Sequence, residues 1–149
     1  MRALLQRVTS AEVRVEGAVT GSCGAGLCVL LGVGNEDTAE VCDRLWRKVR
    51  DLRIFADAAG KTNLSLSDVA GELLVVSQFT LYADCRRGNR PSFTDAARPD
   101  LAIPLYERFC DNAVRDGFSV GRGVFGADMQ VSLINDGPVT ICIDTKNKE

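Results

Sequence analysis

Ser77-Gln78-Phe79-Thr80 breaks an otherwise apolar run, Leu73-Leu74-Val75-Val76, with two hydroxyls and an amide. A second polar island, Asn135-Asp136-Gly137-Pro138-Val139-Thr140, interrupts a stretch in which Met129, Val131 and Leu133 alternate with Gln130 and Ser132. Neither island holds a conventional catalytic group. The chain has no histidine, which removes Ser-His-Asp and Cys-His chemistry and any imidazole base. A hydrolytic reaction must then draw on a carboxylate, an activated hydroxyl or thiol, backbone dipoles, or a group carried by the substrate. Thr80 has no base beside it in sequence, and Asp136 reads as a turn residue. Gly137-Pro138 admits two readings. Asp136-Gly137 is a hairpin signal, with Pro138 opening the returning strand; alternatively the proline, which removes a ladder donor and fixes φ, leaves a carbonyl free for a ligand. On local pattern alone the hairpin is the simpler of the two.

The missing histidine also argues against a metal site, as does the absence of any Cys-x-x-Cys pair; Cys23 and Cys28 are a weak remaining candidate, and no metal or cofactor is expected. The six cysteines, set mostly in apolar periodic segments, read as buried free thiols. A net charge of −2 supplies no general basic field. Charge is uneven, however: between Ser77 and Arg98, the bases Arg86, Arg87, Arg90 and Arg98 face only Asp84 and Asp95, enough to meet a few phosphates. The bases between Glu40 and Arg53 read as the solvated face of a helix.

Several elements must position these residues. Val8, Val13 and Val15 mark extended chain, Glu16-Gly17-Ala18 a turn, and Gly26 to Val33 a buried strand too short to span a bilayer. A helix follows, with Asp37 as expected N-cap and Cys42, Leu45, Trp46, Val49 and Leu52 at helical spacing. Glu72 to Tyr82 reads as a second long strand. Gly88 to Ser92 is a loop, and a second helix is expected from Pro99 or Asp100 to Gly117, with Pro104 delaying or kinking its first turns. Lys146 to Glu149 reads as a frayed tail. Strands outnumber helices without βαβ alternation, so residues 1–149 are expected to form a single α+β domain: a mostly antiparallel, barrel-like sheet with two helices. Arg2 and Arg7 leave no room for a signal-peptide core, and a cytoplasmic protein is expected.

Ser77-Gln78-Phe79-Thr80-Leu81 and Asn135 to Thr140 together resemble the two signature motifs of the D-aminoacyl-tRNA deacylases. The resemblance runs through essentially the whole chain, including Leu5-Gln6-Arg7-Val8, Arg53-Ile54-Phe55, Gly60-Lys61-Thr62-Asn63, Gly88 to Phe93 and Phe125 to Val131. It implies a cofactor-free hydrolase that cleaves the ester between a D-amino acid and the 3′-terminal adenosine of tRNA, active also on glycyl-tRNA, and a homodimer with its sites at the subunit interface. By the same resemblance, Gly137-Pro138 is a cis peptide reaching into the partner's pocket. Its carbonyls meet the α-amino group and its backbone excludes the side chain of an L-amino acid. Backbone N–H groups near Phe79 and Thr80 hold the oxyanion, Ser77 and Gln78 organise the pocket, and Arg7 supports the Gly-Pro loop. Phe125, Ala127 and Met129 are candidates for the adenosine pocket, with ordinary core packing as the alternative, and Arg86, Arg87 and Arg90 for acceptor-stem phosphates. Either the Thr80 hydroxyl or the substrate's 2′-hydroxyl can drive the reaction. A related editor of small L-aminoacyl-tRNA and a non-catalytic nucleic-acid-binding dimer are the competing readings.

Overall fold

A computed structural model describes residues 1–147. Its organising strand is β1 (Arg2–Val15), whose Ala3, Leu5, Val8, Ala11 and Val13 are buried. The chain reverses through Glu16 and Gly17, both at positive φ (50° and 81°), into β2 (Ala18–Cys23), which pairs antiparallel with the second half of β1. β3 (Gly26–Gly32) pairs antiparallel with the first half. Helix α1 (Ala39–Asp51) follows, then a two-stranded hairpin, β4 (Phe55–Ala56) and β5 (Thr62–Leu64). β6 (Glu72–Ser77) lies parallel to β3 and β7 (Val120–Arg122) parallel to β6, with α2 (Pro99–Arg115) between them in sequence. β8 (Gln130–Asp144) runs antiparallel along the other side of β1.

The expected barrel-like α+β domain with two helices is what forms, and its sheet is mixed. β3 and β6 read as continuous apolar runs because they sit centrally, with sheet neighbours on both sides and core on both faces. Closure brings β2 against β7. A Cβ on Gly21 would lie 2.2 Å from the Arg122 carbonyl oxygen, and one on Gly121 2.4 Å from that of Ser22, so only glycine admits this approach. Between sheet and helices lies the larger core, in which Trp46 packs edge-on against Phe109 and Phe118 at 5.5 and 5.4 Å.

Local expectations shift in several places. The α1 cap is Thr38, whose hydroxyl accepts from the Val41 N–H, while Asp37 turns inward to the Met1 ammonium at 2.6 Å and the Gly34 N–H at 2.6 Å. Pro99 starts α2, and Pro104 lies inside it without ending it. Four cysteines are buried, but Cys85, on a loop, and Cys142, on β8, are exposed; all six are free. In the expected tail, Lys146 pairs with Glu36 at 3.0 Å, and Lys148 and Glu149 lie outside the described residues. Among the described residues no helix is long and apolar enough to cross a membrane.

Candidate active site

The strand expected to reach Tyr82 stops at Ser77. The Gln78 N–H makes one last ladder bond to the Leu31 carbonyl at 2.8 Å, and the chain then winds into a single 3-10 turn, Phe79–Tyr82. Within it Leu81 donates to the Gln78 carbonyl and Ala83 to that of Thr80. As at any helix start, the first N–H groups are left over: those of Phe79 and Thr80 have no acceptor among the described residues. They sit side by side on an exposed turn. The Gln78 side-chain amide donates to the Thr80 hydroxyl oxygen, and the Phe79 ring, 55% exposed, stands out into solvent. An amide cannot take a proton from Thr80 at neutral pH, so this contact orients the hydroxyl without activating it. Tyr82, which ends the turn, is buried, and burial pushes its phenol up, away from neutrality.

The second island is neither a hairpin nor a regular strand. β8 keeps one direction throughout and pairs with β1 on both sides of a bulge: Val8 faces Asn135 and Gln6 faces Thr140, so Arg7 alone opposes Asp136 to Val139. The Gly137-Pro138 peptide is cis. Arg7 spans the gap, with Nε donating to the Asp136 carbonyl at 2.8 Å and Nη1 to the Ile54 carbonyl at 2.7 Å, and its guanidinium lies 3.3 Å from the Asp136 carboxylate. Asn135 closes the base of the loop. Its Nδ2 donates to the carbonyls of Arg7 and Val139 at 3.0 and 2.9 Å, and its Oδ1 accepts from the Val139 N–H at 3.2 Å. The side-chain amide thus supplies a backbone-like pair where the ladder is interrupted, and Gly137 and Pro138 are left exposed. The Asn135 and Ile54 contacts depend on which residues the bulge brings together, and no sequence pattern announced them.

Within one chain the two islands do not meet. Ser77 is level with Leu31 and hence Ala3, whereas the loop faces Arg7, four residues further along β1 and three strands away across the sheet. That separation is about 13 Å along the strands and about 14 Å across them, and no hydrogen bond, ion pair or ring contact joins the islands among the described residues.

Other site candidates divide. After β7, the Gly123 N–H donates to the Val75 carbonyl at 3.2 Å, which sets the 123–129 segment beside the end of β6. Phe125 packs on the core and lies edge-on to Tyr106 at 6.4 Å, while Ala127 and Met129 line an open cleft of about 580 Å³ with Arg14 to Gly17. Arg86, Arg87 and Arg90 occupy the tip of a loop closed by the Asp84–Ser92 bridge. Arg86 is held there by Asp84 in a two-pronged pair at 2.8 and 2.7 Å, which pulls that carboxyl down to about 2. Arg87 and Arg90 have no partner among the described residues. Phe93, just beyond the bridge, packs against Phe79 with ring centroids 5.2 Å apart at 72°.

Residues 4–144 match the model of a family described as D-Tyr-tRNA(Tyr) deacylase. A protein of Anaeromyxobacter dehalogenans named D-aminoacyl-tRNA deacylase is 58% identical over 98% of both chains, and one of Bacteroides thetaiotaomicron bearing the same name is 51% identical over the full length of both. Among solved structures, the c-Myc DNA Unwinding Element Binding Protein superposes with a TM-score of 0.90 at 41% identity, covering 97% of this chain and 98% of that one. A probable eukaryotic D-amino acid tRNA deacylase shares the fold at a TM-score of 0.84 and 18% identity, covering 95% of this chain and 97% of that one.

Proposed function

The chain belongs to the D-Tyr-tRNA(Tyr) deacylase family, and from that membership we propose that it hydrolyses the ester of D-aminoacyl-tRNA at a site built by two copies of the chain. One copy supplies the Ser77–Thr80 turn and the other the Gly137-Pro138 loop. The observation that carries this reading is the adjacent, unengaged pair of N–H groups at Phe79 and Thr80, the arrangement an acyl-transfer oxyanion needs. The separation of the two islands within one chain supports a partner's contribution.

Water adds to the ester carbonyl. Negative charge gathers on its oxygen at the two N–H groups, the carbon–oxygen bond to the ribose 3′-oxygen breaks, and that oxygen takes a proton as the amino acid leaves. With no histidine in the chain and the Thr80 hydroxyl bonded to an amide, the substrate's own 2′-hydroxyl is the better aid to proton movement. Exposed carbonyls of the loop receive the α-amino group, and the loop backbone occupies the direction in which an L side chain would point. Selectivity arises from a clash with the wrong isomer. Glycyl-tRNA, with no side chain to exclude, is a substrate. Ala127 and Met129 flank the terminal adenosine, Arg87 and Arg90 meet acceptor-stem phosphates, and the enzyme works in the cytoplasm as a single-domain homodimer.

The test is loss of ester from D-tyrosyl- and L-tyrosyl-tRNA in parallel. Hydrolysis of the D form alone is expected. Equal hydrolysis of both would favour a general editor, and hydrolysis of neither would favour a binding protein without activity. A 2′-deoxy terminal adenosine charged on its 3′-hydroxyl separates the two chemical routes: undiminished turnover would exclude the 2′-hydroxyl.

A further inference from the structure

The rings of Phe79, in the turn, and Phe93, beside it, have no task in the reaction just described. Phe79 is 55% and Phe93 37% exposed, so their edge-to-face contact leaves both partly open to solvent. Phe93 is not a loose loop residue. Ser92 before it is bridged to Asp84 across the loop, its own carbonyl accepts from Ala96 at 3.1 Å, and Ala97 donates to the Val33 carbonyl at 2.9 Å, so the backbone is tied across the loop on one side and to the end of β3 on the other. Arg87 and Arg90 stand on the same short loop with their charges unpaired among the described residues, while Arg86 is neutralised by Asp84. An exposed ring on a tethered backbone, with free arginines on the same loop, is a combination with which proteins hold single-stranded nucleic acid: the ring stacks a base and the cations follow the backbone.

We propose that Phe93 is a stacking platform for the unpaired cytosine base immediately 5′ of the terminal adenosine, with Arg87 and Arg90 on the phosphates that lead from it back toward the acceptor stem. The inference rests on the deacylase reading and extends it, because it assigns a subsite outside the ester and the adenosine. Charge complementarity argues for this occupant: two free arginines suit the closely spaced phosphates of a nucleic-acid strand, a far denser negative charge than the −2 that a second copy of the chain spreads over its whole surface.

The experiment pairs a protein change with a substrate change. D-tyrosyl-tRNA is prepared intact and with an abasic nucleotide at the cytosine position next to the terminal adenosine. For the wild-type chain the abasic substrate is expected to raise KM about 5- to 150-fold, the range for one stacked base, with kcat little changed. Phe93→Leu, which keeps apolar bulk against Phe79 and removes the flat π face, is expected to raise KM for the intact substrate similarly. The two losses should not multiply, since they remove one contact. Phe93→Tyr should restore sensitivity to the base, and thermal midpoints of both variants check that they fold. Multiplicative losses, no abasic penalty in the wild type, or a Phe93→Leu effect only on the oligomeric state would each overturn the proposal. Failure of the deacylase reading would look different: no turnover of intact D-tyrosyl-tRNA by the wild type.

Discussion

Asn135→Ala is the perturbation that most sharply probes how the loop is held. It deletes two donated bonds, at 3.0 and 2.9 Å, and one accepted bond at 3.2 Å, and leaves the Arg7 and Val139 backbone groups to find water. At about 1 kcal/mol net per bond the loop loses about 3 kcal/mol of preference for its closed form, which is roughly a hundredfold in the closed-to-open ratio. Felt globally, that loss would lower the thermal midpoint by roughly 6–12 °C in a domain of this size. β8 stays paired with β1 on both sides of the bulge, so the loop can open locally, and the midpoint should fall by less. The effect should instead appear in kcat/KM, with D-tyrosyl-tRNA turnover falling about tenfold or more and the preference for D over L shrinking at least as much. Asn135→Asp should act in the same direction, because it sets a carboxylate oxygen where Nδ2 faces two carbonyls. A folded Asn135→Ala enzyme with unchanged turnover and unchanged D-to-L preference would refute the idea that this side chain holds the filter.

Two further predictions concern the scaffold. Gly121→Ala forces a Cβ to within 2.4 Å of the Ser22 carbonyl oxygen at the barrel seam and should cost about 1–3 kcal/mol, read as a lower midpoint; Gly24→Ala, whose nearest neighbour would be at 3.5 Å, is the neutral comparison. The Asp43 carboxyl is held down to about 2 by hydrogen bonds from Arg108 and Asn112 across the two helices. A depressed folded-state pKa gives stability that is complete above the unfolded value of about 4 and is lost as pH falls toward 2, so Asp43→Asn should lower the midpoint at neutral pH and flatten its decline between pH 4 and 2. A parallel decline in both proteins would refute that assignment.

Much of the fold is legible in residue pattern. β1 and β3 announce themselves by alternation and by a continuous apolar run, α1 by its period, and the Glu16-Gly17 turn by the glycine. Where pattern misleads, a tertiary partner has prevailed. Asp37 has the residue type of a cap but meets a buried ammonium, leaving Thr38 to cap the helix. Phe79 to Tyr82 has strand composition, yet past the end of β3 nothing remains to pair with, and the chain coils. The cis Gly137-Pro138 peptide looks locally like a hairpin because the continuation of β8 along β1 is a long-range fact. The candidate site divides in the same way: its motif residues stand out in the sequence, but Asn135 as a clamp, Ile54 as the second anchor of Arg7, and Phe93 as the neighbour of Phe79 emerge only with the packing.

The central claim, a site shared between two chains, is tested most directly by mixing two inactive variants. Phe79→Pro deletes one N–H at the first position of the turn, where a proline ring is tolerated. Gly137→Ala disrupts the loop, since its Cβ would meet the Val139 nitrogen at 2.0 Å. If turn and loop come from different chains, a mixed dimer holds one wholly intact site, and half the dimers in an equal mixture are mixed. Co-refolded in equal amounts, the two variants should therefore recover about a quarter of wild-type D-tyrosyl-tRNA hydrolysis. Activity no greater than the average of the two variants alone would contradict the account.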